Sequence, residues 1–186
     1  MFSRSFATLP KGTALTVCLT LLAVLSFTDG ARADIGAAAR SVPAAELVGK
    51  GRMTFLGLKL FDAELYAPGG DYRSSGPFAL KLTYLRDFKS RTIVESSVKE
   101  IRRQGGVSER QIGAWQRQME AIFPDITAGQ TITGVRTSGG GAVFYLGNRK
   151  LGTIADPAFA SRFYDIWLGS STRNPGLRAR LVGAGS

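Results

Sequence analysis

Between residues 48 and 68 the chain reads VGKGRMTFLGLKLFDAELYAP, a pattern of short apolar runs broken by glycine and charge that predicts two paired strands. Arg52 to Leu56 is an extended run and Gly57 interrupts it. Leu58 to Tyr66 then resumes with residues of high strand propensity, until Pro68-Gly69-Gly70 ends the segment. A cleaner alternation follows: Phe78, Leu80, Leu82, Tyr84 and Arg86 fall on one face of a strand, and Ala79, Lys81, Thr83 and Leu85 on the other. Upstream, Asp34 to Lys50 begins Ala-rich, contains Pro43, and reads as an arm or a first edge strand.

The period then changes to helical. Thr92 with Glu95 fits a capping box, after which Val94, Val98 and Ile101 recur at helical spacing until Gly105-Gly106. Ser108 with Gln111 makes a second box, ahead of a core stripe of Ile112, Trp115, Met119 and Ile122. Beyond Pro124 three strands are predicted, Thr131 to Arg136, Ala142 to Leu146 and Lys150 to Ile154, with Gly147-Asn148 at a hairpin turn. Asp156 before Pro157 opens a helix whose buried face is Phe159, Phe163, Ile166 and Trp167, and Pro175 to Leu181 forms a short last helix. Strands, helices, strands and a helix in this order predict an α+β domain with one antiparallel sheet covered by helices on one face.

Residues 1–33 stand apart from this pattern, because they have the three parts of a secretory signal. Arg4 and Lys11 supply charge, Thr13 to Phe27 an apolar run, and Ala31-Arg32-Ala33 a small-x-small cleavage site. The run is shorter than the roughly 20 residues of a spanning helix, so the expectation is a periplasmic protein cleaved after Ala33, with an uncleaved anchor as the alternative. Removing the leader takes the formal charge from +10 to +8 and leaves 186 − 33 = 153 residues, enough for one domain over 34–186.

The chain has no histidine, and its single cysteine, Cys18, lies in the leader. A Ser-His-Asp triad, a cysteine nucleophile, His-ligated zinc or haem and iron–sulfur clusters are thereby excluded from the mature chain. Asp62 and Glu64 share a strand face but lack a third metal ligand. Ser138-Gly139-Gly140-Gly141 lacks the Lys and Ser/Thr of a phosphate loop and reads as a hairpin turn. No cofactor is expected. Lys99, Arg102, Arg103, Arg110 and Arg117 make a basic helical region, either a solvated face or a surface for anionic membrane lipid; nucleic acid is not an expected partner of an exported protein. Arg52 has two readings: a cation beside an apolar pocket, suited to a carboxylate or oxyanion, or a strand-end residue bridging to Asp62 or Glu64.

GKGRMTFLGLKLFDAELYAP, FALKLTYLRDF, AVFYLGNRKLGTI and the terminal FYDIWLG with LRARLVG, in this order, resemble the chalcone-isomerase-like family in its exported bacterial members. The resemblance implies an open-faced β-sandwich, a large antiparallel sheet packed against a layer of helices with the ligand in the cleft between them. The plant enzymes of the family close a chalcone ring with an arginine, a threonine, a tyrosine and an asparagine. Arg52 matches the arginine, while Phe61, Lys89 and Ser96 occupy the other three positions. Those substitutions remove the hydroxyls and amide that would position the reacting groups.

The resemblance also implies a second function, since members without the enzyme's residues include fatty-acid-binding proteins in which an arginine and a tyrosine hold the carboxylate. The expectation is therefore a non-enzymatic binder of a fatty acid or similar amphipathic carboxylate, with Arg52 at the head group and Tyr66 or Tyr84 as its hydroxyl partner. The alternatives are an isomerase or lyase acting on a phenolic or enone substrate, and a cell-envelope interaction protein using its basic surface.

Overall fold

The computed structural model describes Met1 and residues 35–183, so the expected leader, its cleavage site and residues 184–186 lie outside the described residues. Six strands, β1 (Ala45–Phe55), β2 (Leu58–Pro68), β3 (Phe78–Tyr84), β4 (Thr131–Arg136), β5 (Ala142–Leu146) and β6 (Arg149–Ile154), pair in chain order, each antiparallel to the next. Between β3 and β4 come α1 (Ser90–Gln104) and α2 (Glu109–Ile122), and after β6 come α3 (Pro157–Leu168) and α4 (Pro175–Leu181). This is the predicted α+β architecture, an open antiparallel sheet with helices packed on it.

The pleat divides the sheet residues between two cores. Ala63, Leu65, Leu80, Leu82, Ile132 and Phe144 face the helices, where Trp115, Phe159, Phe163 and Phe123 form an edge-to-face aromatic cluster around Phe144. The opposite face is not bare. A short 3-10 helix, Gly36–Ser41, lays Ile35, Ala38 and Val42 on Tyr66, Ala79, Val135, Val143 and Tyr145, a second and smaller buried cluster. The Ala-rich arm expected upstream is thus a cover for the outer face, and β1 begins only at Ala45.

Each main helix has a distinct start. Ser108 caps α2 by accepting the Gln111 amide at 3.3 Å, and Asp156 caps α3 by accepting the Ala158 amide at 2.9 Å, with Pro157 in the first turn. The start of α1 differs from expectation. It begins at Ser90, so Thr92 lies inside the first turn, and the free amide of Ser90 is satisfied by Asp125 at 2.8 Å, a cap supplied from beyond α2.

Two glycines fix where the helices lie on β1. A Cβ at Gly49 would lie 2.1 Å from the Arg180 carbonyl oxygen and one at Gly51 would lie 2.7 Å from Leu177, so only glycine admits α4 this close. Met53 and Phe55, further along β1, border an open space.

Candidate ligand-binding site

That space is a cavity of about 510 Å³ between the helix-facing side of the sheet and helices α1 and α3. Its walls are apolar: Met53, Phe61, Leu82, Ile132 and Phe144 from the sheet, Ile93 from α1, and Phe163 and Trp167 from α3. Gly134 forms part of the floor. A Cβ there would meet the Tyr164 hydroxyl at 3.0 Å and Phe144 at 3.2 Å, so the absent side chain lets Tyr164 lie close against the sheet. The volume falls in the ~300–1,000 Å³ range of small-molecule pockets.

Polar groups gather at the mouth and at two buried hydroxyls. The exposed lining residues are Phe55 on the hairpin, Thr92, Ser96 and Lys99 on α1, and Arg173 after α3. Glu100 ties this rim together, receiving Arg173 at 3.1 Å and Arg103 at 2.8 Å, while Arg103 also donates to the Ser171 carbonyl at 3.0 Å. Counting the lining residues Lys99 and Arg173 against Glu100, the rim carries an excess of positive charge, suited to an anionic head group. Inside, burial pushes the phenols of Tyr84 and Tyr164 upward, so both stay neutral at physiological pH. The buried Tyr164 hydroxyl has no hydrogen-bond partner among the described residues. Ser97, by contrast, is already engaged with the Ile93 carbonyl at 2.9 Å.

A family model described as chalcone isomerase-like matches residues 49–183, nearly all of the sheet and all four helices. The chain belongs to the chalcone isomerase-like family. Among solved structures it is similar to a fatty-acid binding protein of Arabidopsis thaliana, with 12% identity and a TM-score of 0.60 over 77% of this chain and 90% of that one. At that identity the likeness is one of fold. No curated protein sequence matches the chain.

The four residues expected to match the family's catalytic positions do not come together in the structure. Phe61 and Ser96 line the cavity, Ser96 at its exposed rim. Lys89 lies outside it, four-fifths exposed just ahead of α1 and bonded to Asp125 at 2.8 Å. Arg52 is on the other side of the sheet. Its cross-strand partner is Asp62, which accepts from Nε at 2.5 Å and Nη2 at 2.8 Å.

The expected ligand set is therefore divided by the sheet. Tyr84 stands in the cavity wall, against Phe61 and Phe88. Tyr66 is buried on the outer face under the 3-10 helix, and Arg52 lies on that face too, so neither reaches the cavity. The expectation that Arg52 and Tyr66 face the cleft is corrected accordingly, and bridging to Asp62 is the reading of Arg52 the structure bears out. Glu64, the other acid of that face, pairs with Lys81 at 3.1 Å. Among the described residues no group of three or more His, Cys, Asp and Glu stands ready for a metal. Sequence reasoning missed Arg173 and Tyr164 and saw Lys99 only as part of a basic helix; the i, i+4 and i, i+7 spacing of Thr92, Ser96 and Lys99 was the available signal.

Proposed function

We propose that the cavity binds a fatty acid or a similar amphipathic carboxylate without chemical turnover. The observation that carries the proposal is the pairing of an apolar cleft of about 510 Å³ with a cationic rim at Lys99 and Arg173. An acyl chain lies along the wall formed by Leu82, Ile132 and Phe144, where its burial is favourable by about 0.8 kcal/mol per methylene. The carboxylate stays at the rim, where the guanidinium of Arg173 and the ammonium of Lys99 receive it as charge-assisted hydrogen bonds. Tyr84 is the hydroxyl available deeper in the wall.

Two further points support this reading. The structural relative of Arabidopsis is a fatty-acid binding protein by name. The positions that align a phenol and a ketone in the family's enzymes are here an apolar ring, a surface lysine and a rim serine, which supply no proton relay facing Arg52. The leader read at residues 1–33 supports a periplasmic address for the binder.

Native mass spectrometry of protein isolated from its own periplasm tests class and address together: a co-purifying fatty acid on a chain starting at Asp34 is the expected result. Isothermal titration with a medium-chain fatty acid tests the rim. Arg173→Ala should weaken binding by on the order of tenfold, as expected for loss of a charge-assisted hydrogen bond. An affinity unchanged in Arg173→Ala and Lys99→Ala alike would remove the rim from the site.

A further inference from the structure

The hairpin joining β1 to β2 turns on two residues, Leu56 at φ +47° and Gly57 at φ +77°. Positive φ at both central positions is what a type I′ turn requires, and asparagine or glycine normally supplies it. Leucine in the left-handed region is strained, and strain held at a surface turn points to a role for the side chain that asparagine would not fulfil. The side chain is not used for packing: Leu56 is 85% exposed, with Phe55 at 60% and Leu58 at 48% beside it. Nothing lies within 4 Å of a Cβ built on Gly57, so the tip projects freely.

We propose that this tip, Phe55-Leu56-Leu58, is the docking element by which the protein enters the surface of an anionic lipid bilayer. Phe55 carries the link to the cavity, since it is both an exposed tip residue and a lining residue of the mouth. Docking at the tip therefore sets the mouth against the membrane surface and opens a route for an acyl chain between bilayer and cavity. That second step rests on the reading of the cavity as an acyl site; the docking does not. The charge is right for an anionic surface, because the chain without its leader carries a formal +8, Lys59 directly follows Leu58, and Lys99 and Arg173 border the same mouth. A second copy of the chain is the weaker partner, because three side chains fall well short of the roughly 800 Å² per subunit that a stable interface buries.

The test uses the mature chain from Asp34, which has no cysteine, with Leu56→Cys as its one thiol at the tip for an environment-sensitive NBD label. A control chain carries the label at Ser138→Cys, in the exposed β4–β5 turn at the other end of the sheet. Phosphatidylcholine vesicles containing phosphatidylglycerol should blue-shift the label at position 56 and leave that at position 138 unchanged. A silent label at position 56, or equal shifts at both, overturns the proposal. Flotation of the unlabelled chain gives a second reading: Leu56→Asn should reduce vesicle partition about tenfold, as loss of one buried leucine implies, while its melting temperature stays level or rises as the turn strain is relieved. Equal partition overturns the proposal, and so does a vesicle-free dimer that Leu56→Asn dissolves. Fatty-acid titration without vesicles reads the cavity separately. If no fatty acid binds while the label at position 56 still shifts, the acyl reading of the cavity fails and the docking stands.

Discussion

Arg52 and Asp62 face each other across β1 and β2, joined by two hydrogen bonds of 2.5 and 2.8 Å on the sheet face away from the cavity. The hydrogen bond and charge of Arg52 hold the Asp62 carboxyl below its ordinary value, against a smaller opposing effect of burial. Arg52→Ala should leave fatty-acid affinity unchanged and lower the melting temperature slightly, as expected for an exposed pair. The depressed carboxyl fixes the sign of the pH effect. The pair's contribution is present above the unfolded carboxylate value, near pH 4, and is lost as pH falls through the folded one. The difference in melting temperature between wild type and Arg52→Ala should be larger at pH 7 than at pH 3. A large drop in ligand affinity would place Arg52 back in the site.

This pair also shows where the sequence was readable and where it was not. The alternation from Phe78 to Tyr84 assigned both faces of β3 correctly, because apolar residues of one parity run unbroken toward one core. In β1 the residues facing the helices are Gly49, Gly51 and Met53, two of them without side chains, so no apolar periodicity marks the face. Counting pairs outward from the Leu56-Gly57 turn brings Arg52 opposite Phe61, a cavity residue. A register shift between Met53 and Thr54 moves it to Asp62 and to the other face. Tyr66 was hidden for a related reason, since the cover on its face comes from Ile35, Ala38 and Val42, a segment whose composition signals no packing. The cap of α1 was equally invisible, because Asp125 lies 35 residues from the amide it accepts.

Glu100 competes with a ligand carboxylate for Arg173. Glu100→Gln keeps the shape of the rim while removing its one negative charge among the cations, so affinity for a fatty acid should rise severalfold, on the scale of about 1 kcal/mol for a partly exposed charge pair. Raising salt should shrink the gain, because the attraction at an open rim is screened within about 10 Å at 0.1 M. Titration of both forms at low and high ionic strength decides it, and a loss of affinity in Glu100→Gln would mean that the acid holds the cations in place for the ligand.

Asp156 ties α2 to α3. Its carboxylate accepts the Ala158 amide at 2.9 Å, Trp115 Nε1 at 2.8 Å and the Gln111 side chain at 3.5 Å. Burial pushes this carboxyl upward, but the hydrogen bonds from Trp115, Ala158, Gln111 and Phe159 together outweigh it, and the net direction is down. Asp156→Ala removes a helix cap and strands the buried indole N–H, a loss of about 2–4 kcal/mol from the two effects. Because the folded value is depressed, that loss should be full near neutral pH and fade as acid protonates the wild-type carboxylate. Urea unfolding at pH 7 and pH 3 measures both limbs, and a pH-independent difference would show that the carboxylate charge has no part in it.

Tyr164 is the last test of how the cavity floor is built. Its hydroxyl is buried against Gly134 with no partner among the described residues, and a buried unsatisfied group costs about 1–3 kcal/mol. Tyr164→Phe keeps the ring contacts with Phe78 at 4.8 Å and Phe163 at 5.4 Å and removes only the oxygen. The ligand-free protein should therefore gain about 1 kcal/mol of stability by urea unfolding. Gly134→Ala changes the same contact in the opposite sense, driving a methyl to 3.0 Å from that oxygen and 3.2 Å from Phe144. Overpacking of this kind costs about 1–3 kcal/mol, and it should narrow the cavity enough to weaken long acyl chains more than short ones. In the double variant the missing oxygen gives the methyl room, so the two changes should be non-additive, with the penalty of Gly134→Ala smaller on the Tyr164→Phe background. Strict additivity would mean that Phe144, and not Tyr164, sets the tightness of the floor.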